Sequence, residues 1–306
     1  MIKHPARVSI GRILLNIVVF CGLGISQSSI ASITLLQANG DILTLPGPAA
    51  RIITLAPNLA ELVFAAGAGG SLKAVVEYSN FPEPVAQIPR VGDAFRIDLE
   101  RIIELNPDLV IAWKSGNPQT ALQKLQQLGI TVWQIEITRP EEIADIVANI
   151  SDAAGTQNVG EAVAMQLRNR LADLKKQHAN KIPVSFFYQI APRPLYTVNS
   201  QHIISRSLAI CGGHNVFANL PALAPQISRE SVIIANPQAM IAPKTDGGPP
   251  ALLAWQDWPQ LQAVQYDTML YLPADEISQA TPRLLDSIEL ACKNLDEVRS
   301  ALKQVE

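Results

Sequence analysis

Glu100-Arg-Ile-Ile-Glu-Leu-Asn-Pro-Asp-Leu-Val-Ile-Ala112 is answered further along the chain by Glu230-Ser-Val-Ile-Ile-Ala-Asn-Pro-Gln-Ala-Met-Ile-Ala242. Six of the thirteen aligned positions are identical, among them the Glu, the Asn-Pro and the closing Ile-Ala. In each copy a short helix must stop at Asn-Pro, because proline cannot continue a helix and restricts the residue before it. A short apolar run follows and reads as a buried strand. Two copies of one helix–strand unit imply two related α/β lobes. Each lobe carries a Glu near the start of its helix, where the helix dipole favours negative charge. A lone Glu there is ordinarily a helix-terminal charge; two in register point to a paired surface feature.

Working outward, helices alternate with short apolar strands, the pattern of a parallel sheet covered on both faces. Residues 33–45 read as a β-hairpin about Asn39-Gly40. Strands are expected at 51–56, 73–76, 108–113 and 131–135, with helices at 59–66, 98–105 and 118–128. The stretch from Pro140 to Lys181 holds no strand. Its longer helix, from Asn158 to His178, places Val159, Val163, Leu167, Leu171 and Leu174 on one apolar face and spans roughly 30 Å. After Pro183 come a strand at 184–190, a helix at 200–210, the second repeat, a helix from Pro249 to about Trp255, a strand at 269–272 and a last helix at 282–302. The expected fold is α/β: two lobes with central parallel sheets flanked by helices, joined by one long rigid helix, with a cleft between them. The lobes are assigned to residues 32–139 and 182–306, and the connector to 140–181.

The chain has 306 residues, 48% of them hydrophobic and 17% charged, enough for two cores. A net charge of −3 and a pI near 5.9 leave no nucleic-acid footprint. Residues 1–31 read as an export leader: basic Lys3, Arg7 and Arg12, an apolar run at 13–23, and Ser29-Ile-Ala31 as cleavage site. Its removal leaves 21 basic against 27 acidic residues, a charge of −6, in an exported protein. Without Cys21 in the leader, Cys211 and Cys292 are an even pair in an oxidising compartment, either disulfide-bonded or two buried thiols.

No enzyme signature is present: no Gly-x-Ser-x-Gly, no P-loop and no Cys-x-x-Cys. His178, His202 and His214 are too scattered for a three-histidine zinc site, so neither catalytic nor metal-binding residues are assigned. Aromatics remain at strand ends or in the adjoining loops: Tyr78, Trp113 and Tyr196. Ligands of open parallel sheets bind beyond the carboxyl ends of the strands, and rings there suit a bulky, partly apolar ligand.

Arg51-Ile-Ile-Thr-Leu-Ala-Pro-Asn58, Tyr78-Ser-Asn-Phe-Pro82, Pro107-Asp-Leu-Val-Ile-Ala-Trp113, Cys211-Gly-Gly-His-Asn-Val-Phe217, Ile227-Ser-Arg-Glu230 and Thr281-Pro-Arg283 resemble the periplasmic cobalamin-binding (BtuF) family, of the helical-backbone class that serves ABC importers. The resemblance runs from about Ala50 to the end of the chain. It implies a monomeric, periplasmic protein that captures cobalamin or a related corrinoid as transported ligand, without a cofactor of its own. Glu100 and Glu230 match glutamates that dock on a dimeric membrane permease. Tyr78, Trp113, Tyr196 and Asp275 match ligand contacts, and Cys211 with Cys292 matches a disulfide. The sequence departs from the family where Ala94 and Ala224 replace cleft tryptophans and Gln279 replaces an arginine. Phe95 is placed to compensate for the first loss; nothing adjacent to Ala224 obviously replaces the second. The alternative ligand is haem or a siderophore, with Tyr78 or Tyr196 as axial ligand for haem.

Overall fold

A computed structural model describes residues 1–2, 32–244 and 250–303. The expected leader, Cys21 and the cleavage site lie outside the described residues, apart from residues 1 and 2. From Ser32 onward the chain begins with the hairpin β1 (Ile33–Leu36) and β2 (Ile42–Leu45). Next come β3 (Ile52–Thr54), α1 (Pro57–Ala65), β4 (Leu72–Ala74), α2 (Leu99–Glu104), β5 (Leu109–Trp113), α3 (Gln119–Gln127) and β6 (Val132–Ile135). Two consecutive helices, α4 (Glu142–Ala154) and α5 (Gln157–His178), precede the second series. That series is β7 (Val184–Tyr188), the ribbon β8 (Ala191–Pro192) and β9 (Leu195–Tyr196), α6 (Ile203–Ile210), β10 (Gly213–Asn215), α7 (Arg229–Ala235) and β11 (Ala239–Lys244). It ends with α8 (Gln262–Gln265), β12 (Met269–Pro273), α9 (Ala274–Ile277) and α10 (Leu284–Lys303).

Two four-stranded parallel sheets result, ordered β4-β3-β5-β6 and β10-β7-β11-β12. The repeated units α2–β5 and α7–β11 therefore supply the third strand of each sheet. The likeness extends to the helix ends. Asp98 caps α2 by accepting the Arg101 N–H, and Ser228 caps α7 by accepting that of Ser231. Asn106 and Asn236 leave the helices with φ of 44° and 42°. Asn tolerates the left-handed region better than other side chains, so Asn-Pro both turns the chain and stops the helix.

α5 joins the two sheets. Its buried face is Gly160, Ala164, Leu167, Leu171, Leu174 and His178. Val159, assigned to that face from the sequence, is exposed. The shift comes from small residues: a Cβ on Gly160 would stand 2.1 Å from the Ser151 Cβ, so α5 meets α4 backbone-close there. Trp133, fully buried, donates its Nε1–H to the Leu36 carbonyl and ties the hairpin to the first sheet. Cys211 and Cys292 form a disulfide with Cα atoms 4.7 Å apart, fastening the end of α6 to α10. Arg299 reinforces that junction, donating to the carbonyls of Cys211 and Ile182.

Two sequence expectations are corrected. The stretch leading to Trp255 is a 3₁₀ turn, Leu253–Trp255, rather than a helix from Pro249, which lies outside the described residues. Gly213, read as part of a helix stop, opens the edge strand β10, whose His214 and Asn215 pair with Ser185 and Phe186. No described helix is long and apolar enough to cross a membrane.

Candidate functional site

Asn117 organises one wall of the cleft. It is buried just beyond β5, where its Oδ1 accepts the Trp113 N–H and its Nδ2 donates to the Leu55 and Ala94 carbonyls. Three segments at the carboxyl end of the first sheet are thereby fastened to one side chain. The Trp113 indole is oriented in turn: its Nε1–H donates to Ser115 Oγ at 3.0 Å, and Ser115 donates to Glu136 from both Oγ and N, each at 2.9 Å.

Opposite this wall stand the start of α6 and the α9–α10 junction. Trp113, Glu136 and Thr138 share a hollow of about 460 Å³ with Gln201, His202, Leu223 and Gln279, within the roughly 300–1,000 Å³ usual for small-molecule sites. A smaller hollow of about 190 Å³ brings Tyr78, Asn80 and Phe81 against Asp275 and Arg283. Pro57 and Gln279 line both, so the two are neighbouring parts of one cleft. Two arginines span it. Arg283 forms a bidentate pair with Glu61 of α1 and lies 4.0 Å from the Phe81 ring centroid. Arg206 donates to the Thr138 carbonyl and hydroxyl.

The expected contacts divide. Tyr78, in the loop after β4, and Asp275, on α9 after β12, meet in the smaller hollow, and Trp113 lines the larger. Tyr196, half-buried on β9, and Phe95, 76% exposed, line neither. Tyr78 is 78% exposed on a backbone at φ 66°. A bulky residue held there is strained, and such strain gathers at functional sites. Leu223 lines the larger hollow, and its neighbour Ala224 is exposed and lines neither. Asn58, Ser115, Asn117, Glu136, Gln201 and His202 were missed. Ser115 and Asn117 follow β5, and Glu136 follows β6; the rule about strand carboxyl ends, applied to polar residues as well as rings, finds them.

Glu100 and Glu230 are exposed in the first turns of α2 and α7. Hydrogen bonds from its own backbone amide and from Ser228 hold the Glu230 carboxyl below the usual range. A larger groove, about 850 Å³, runs between α5 and α10. Its Arg170 already pairs with Asp286 and Glu289. Among the described residues no cluster of three His, Cys, Asp or Glu is placed to hold a metal ion.

Residues 52–276 match the family model described as periplasmic binding protein. This chain belongs to the periplasmic binding protein family. A relative from Vibrio cholerae serotype O1, the vitamin B12-binding protein, is 38% identical over 266 residues, 86% of this chain and 95% of its own. The crystal structure of periplasmic vitamin B12 binding protein BtuF of Vibrio cholerae superposes with a TM-score of 0.76 at 38% identity, covering 82% of this chain and 98% of that one. The haem-binding protein BhuT, in complex with two haems, reaches a TM-score of 0.73 at 19% identity, covering 82% and 99%, a likeness of fold. These relatives are binding proteins rather than enzymes. The two sheets joined by α5 are the architecture of the BtuF neighbour.

Proposed function

We propose that this periplasmic binding protein is the substrate-binding subunit of an ABC importer, and that it captures cobalamin or a closely related corrinoid between its lobes. Tyr78, Trp113 and Asp275 form the inner contacts, with Tyr196 and Phe95 at the outer rim. The corrinoid is cargo, not a cofactor. The mature protein, freed of residues 1–31, acts as a monomer and docks on a dimeric permease through Glu100 and Glu230. An approximately two-fold protein then meets a two-fold partner, with carboxylates offered to cations.

The charge of the cleft carries the choice of ligand. Among the described residues lining the two hollows, the cation is Arg283, and both oxygens of Glu61 already engage it; Arg206, which lines neither, donates to the Thr138 carbonyl and hydroxyl. The remaining charged groups are carboxylates, Glu136 and Asp275, beside the amides of Asn58, Asn80, Gln201 and Gln279. Next to Asp275, burial pushes the Glu276 carboxyl upward, and neighbouring Asp286 adds to the shift. Haem carries two propionate carboxylates, which such a site repels. The corrin ring is fringed by neutral carboxamides, which amides and carboxylates can hydrogen-bond. The 38% identity to a vitamin B12-binding protein supports the same ligand.

Calorimetric titration of the mature chain from Ser32 tests this reading, first with cyanocobalamin and then with haemin. One-site cobalamin binding at micromolar affinity or tighter is expected. Haemin binding without cobalamin binding, by a folded and oxidised sample, overturns it.

A further inference from the structure

His202 stands at the N-cap of α6 and lines the larger hollow. Its Nδ1 accepts the Ile204 backbone N–H at 3.2 Å. An accepting Nδ1 carries no proton, so in the neutral ring the proton resides on Nε2. Nε2 lies on the ring edge turned away from that backbone contact, and among the described residues no hydrogen bond or ion pair engages it. Burial pushes the imidazole pKa down, which keeps the ring neutral and the tautomer fixed at neutral pH. The usual caps are Ser, Thr, Asp and Asn, all short. Histidine in that place caps the helix through Nδ1 and presents a second polar atom beyond the cap.

We propose that His202 contacts the ligand directly, its Nε2–H donating to a carboxamide carbonyl on the rim of the bound corrinoid. The inference rests on the corrinoid reading above. Glu136 and Gln279 line the same hollow. Glu136 accepts two bonds from Ser115 and keeps lone pairs for the N–H side of the same carboxamide. One amide arm is then bracketed, with its oxygen on the α6 side and its nitrogen on the wall beyond β6. A carboxylate arm finds His202 but is repelled by Glu136, so the pair selects amide over acid. The same geometry argues against metal ligation: freeing the Nε2 lone pair moves the proton to Nδ1 and breaks the cap.

Two substitutions separate the cap from the contact. His202→Asn keeps an acceptor near the position of Nδ1 and loses the far donor. His202→Gln carries an amide N–H near the position of Nε2 and loses the cap. Calorimetry with cyanocobalamin and thermal unfolding of the unliganded mature protein give the readouts. The Asn variant is expected to melt with the wild type and bind about fivefold more weakly, the scale of one hydrogen bond. The Gln variant is expected to melt about 2–4 °C lower and recover most of that affinity. Wild-type affinity in the Asn variant, or affinities that follow the melting temperatures, overturn the contact. A wild-type protein that does not bind cyanocobalamin overturns the corrinoid reading itself, and this inference with it.

Discussion

The guanidinium of Arg283 closes on both carboxylate oxygens of Glu61, at 2.8–3.1 Å and across 222 residues of chain. Glu61 is 4% exposed and Arg283 21%. One belongs to α1 beneath the first sheet's edge of the cleft, the other to the approach to α10. The bond therefore ties the two lobes at the bottom of the ligand site. Removing one partner strands a desolvated charge. Glu61→Ala is expected to cost about 3 kcal/mol, read by urea unfolding, whereas Glu61→Met combined with Arg283→Met recovers much of the loss. Equal losses in the single and double variants reject the pair as an interlobe tie.

The Cys211–Cys292 disulfide spans 81 residues. In the chain-entropy model, closing a loop of that length contributes about 4 kcal/mol. Replacing both cysteines with alanine should lower the urea midpoint accordingly, while reductant should leave that variant unmoved and destabilise the wild type.

The proposed docking residues, Glu100 and Glu230, begin α2 and α7 and line neither hollow of the cleft. Glu100→Arg with Glu230→Arg should abolish cobalamin uptake by cells while calorimetric affinity stays within about twofold, a small change against the roughly 1.4 kcal/mol of a tenfold effect. Undiminished uptake removes the docking role.

Trp113 offers a graded test. Trp113→Ala should weaken cyanocobalamin binding more than tenfold. Ser115→Ala, which leaves the ring but removes the acceptor for its Nε1–H, should weaken binding about fivefold, as expected for one hydrogen bond. Equal losses would mean that Ser115 acts through more than the ring's orientation.

Acid should loosen the disulfide end of α10. Asp296 is drawn upward by partial burial, but its bonds to Lys181 and Arg299 outweigh this and hold its carboxyl below the ordinary 3.8. A depressed folded-state pKa stabilises the fold above the unfolded value, and this contribution is lost as pH falls through the folded value. Melting temperatures from pH 7 to pH 3 should fall more steeply below about pH 4 in the wild type than in Asp296→Asn.

The lobes, their parallel sheets and the connecting helix were legible because their signals are local and repeated. Asn-Pro is written twice, and Leu167, Leu171 and Leu174 keep helical spacing. Gly160 was not legible: its role is an absence of side chain that matters only once α4 lies against it. The rings of the cleft were found as conspicuous residues at strand ends. Glu136 went unnoticed, and His202 was weighed only as a metal ligand, because their partners arrive from elsewhere or from the backbone, Ser115 from 21 residues away and the Ile204 amide from the helix that His202 caps. Tyr78 was found for its ring, but its left-handed backbone leaves no trace in the sequence.

α5 is a ruler as well as a connector. Each residue inserted in it would advance the second lobe by 1.5 Å and turn it by about 100°, carrying Gly160 or Leu174 off its partner. The separation of the lobes is thus quantised in helical steps too coarse for a binding site to use. Gln279, which lines both hollows, can change without touching that length. The walls of the cleft are free to vary one side chain at a time, while the distance between them is held by the length of a single helix.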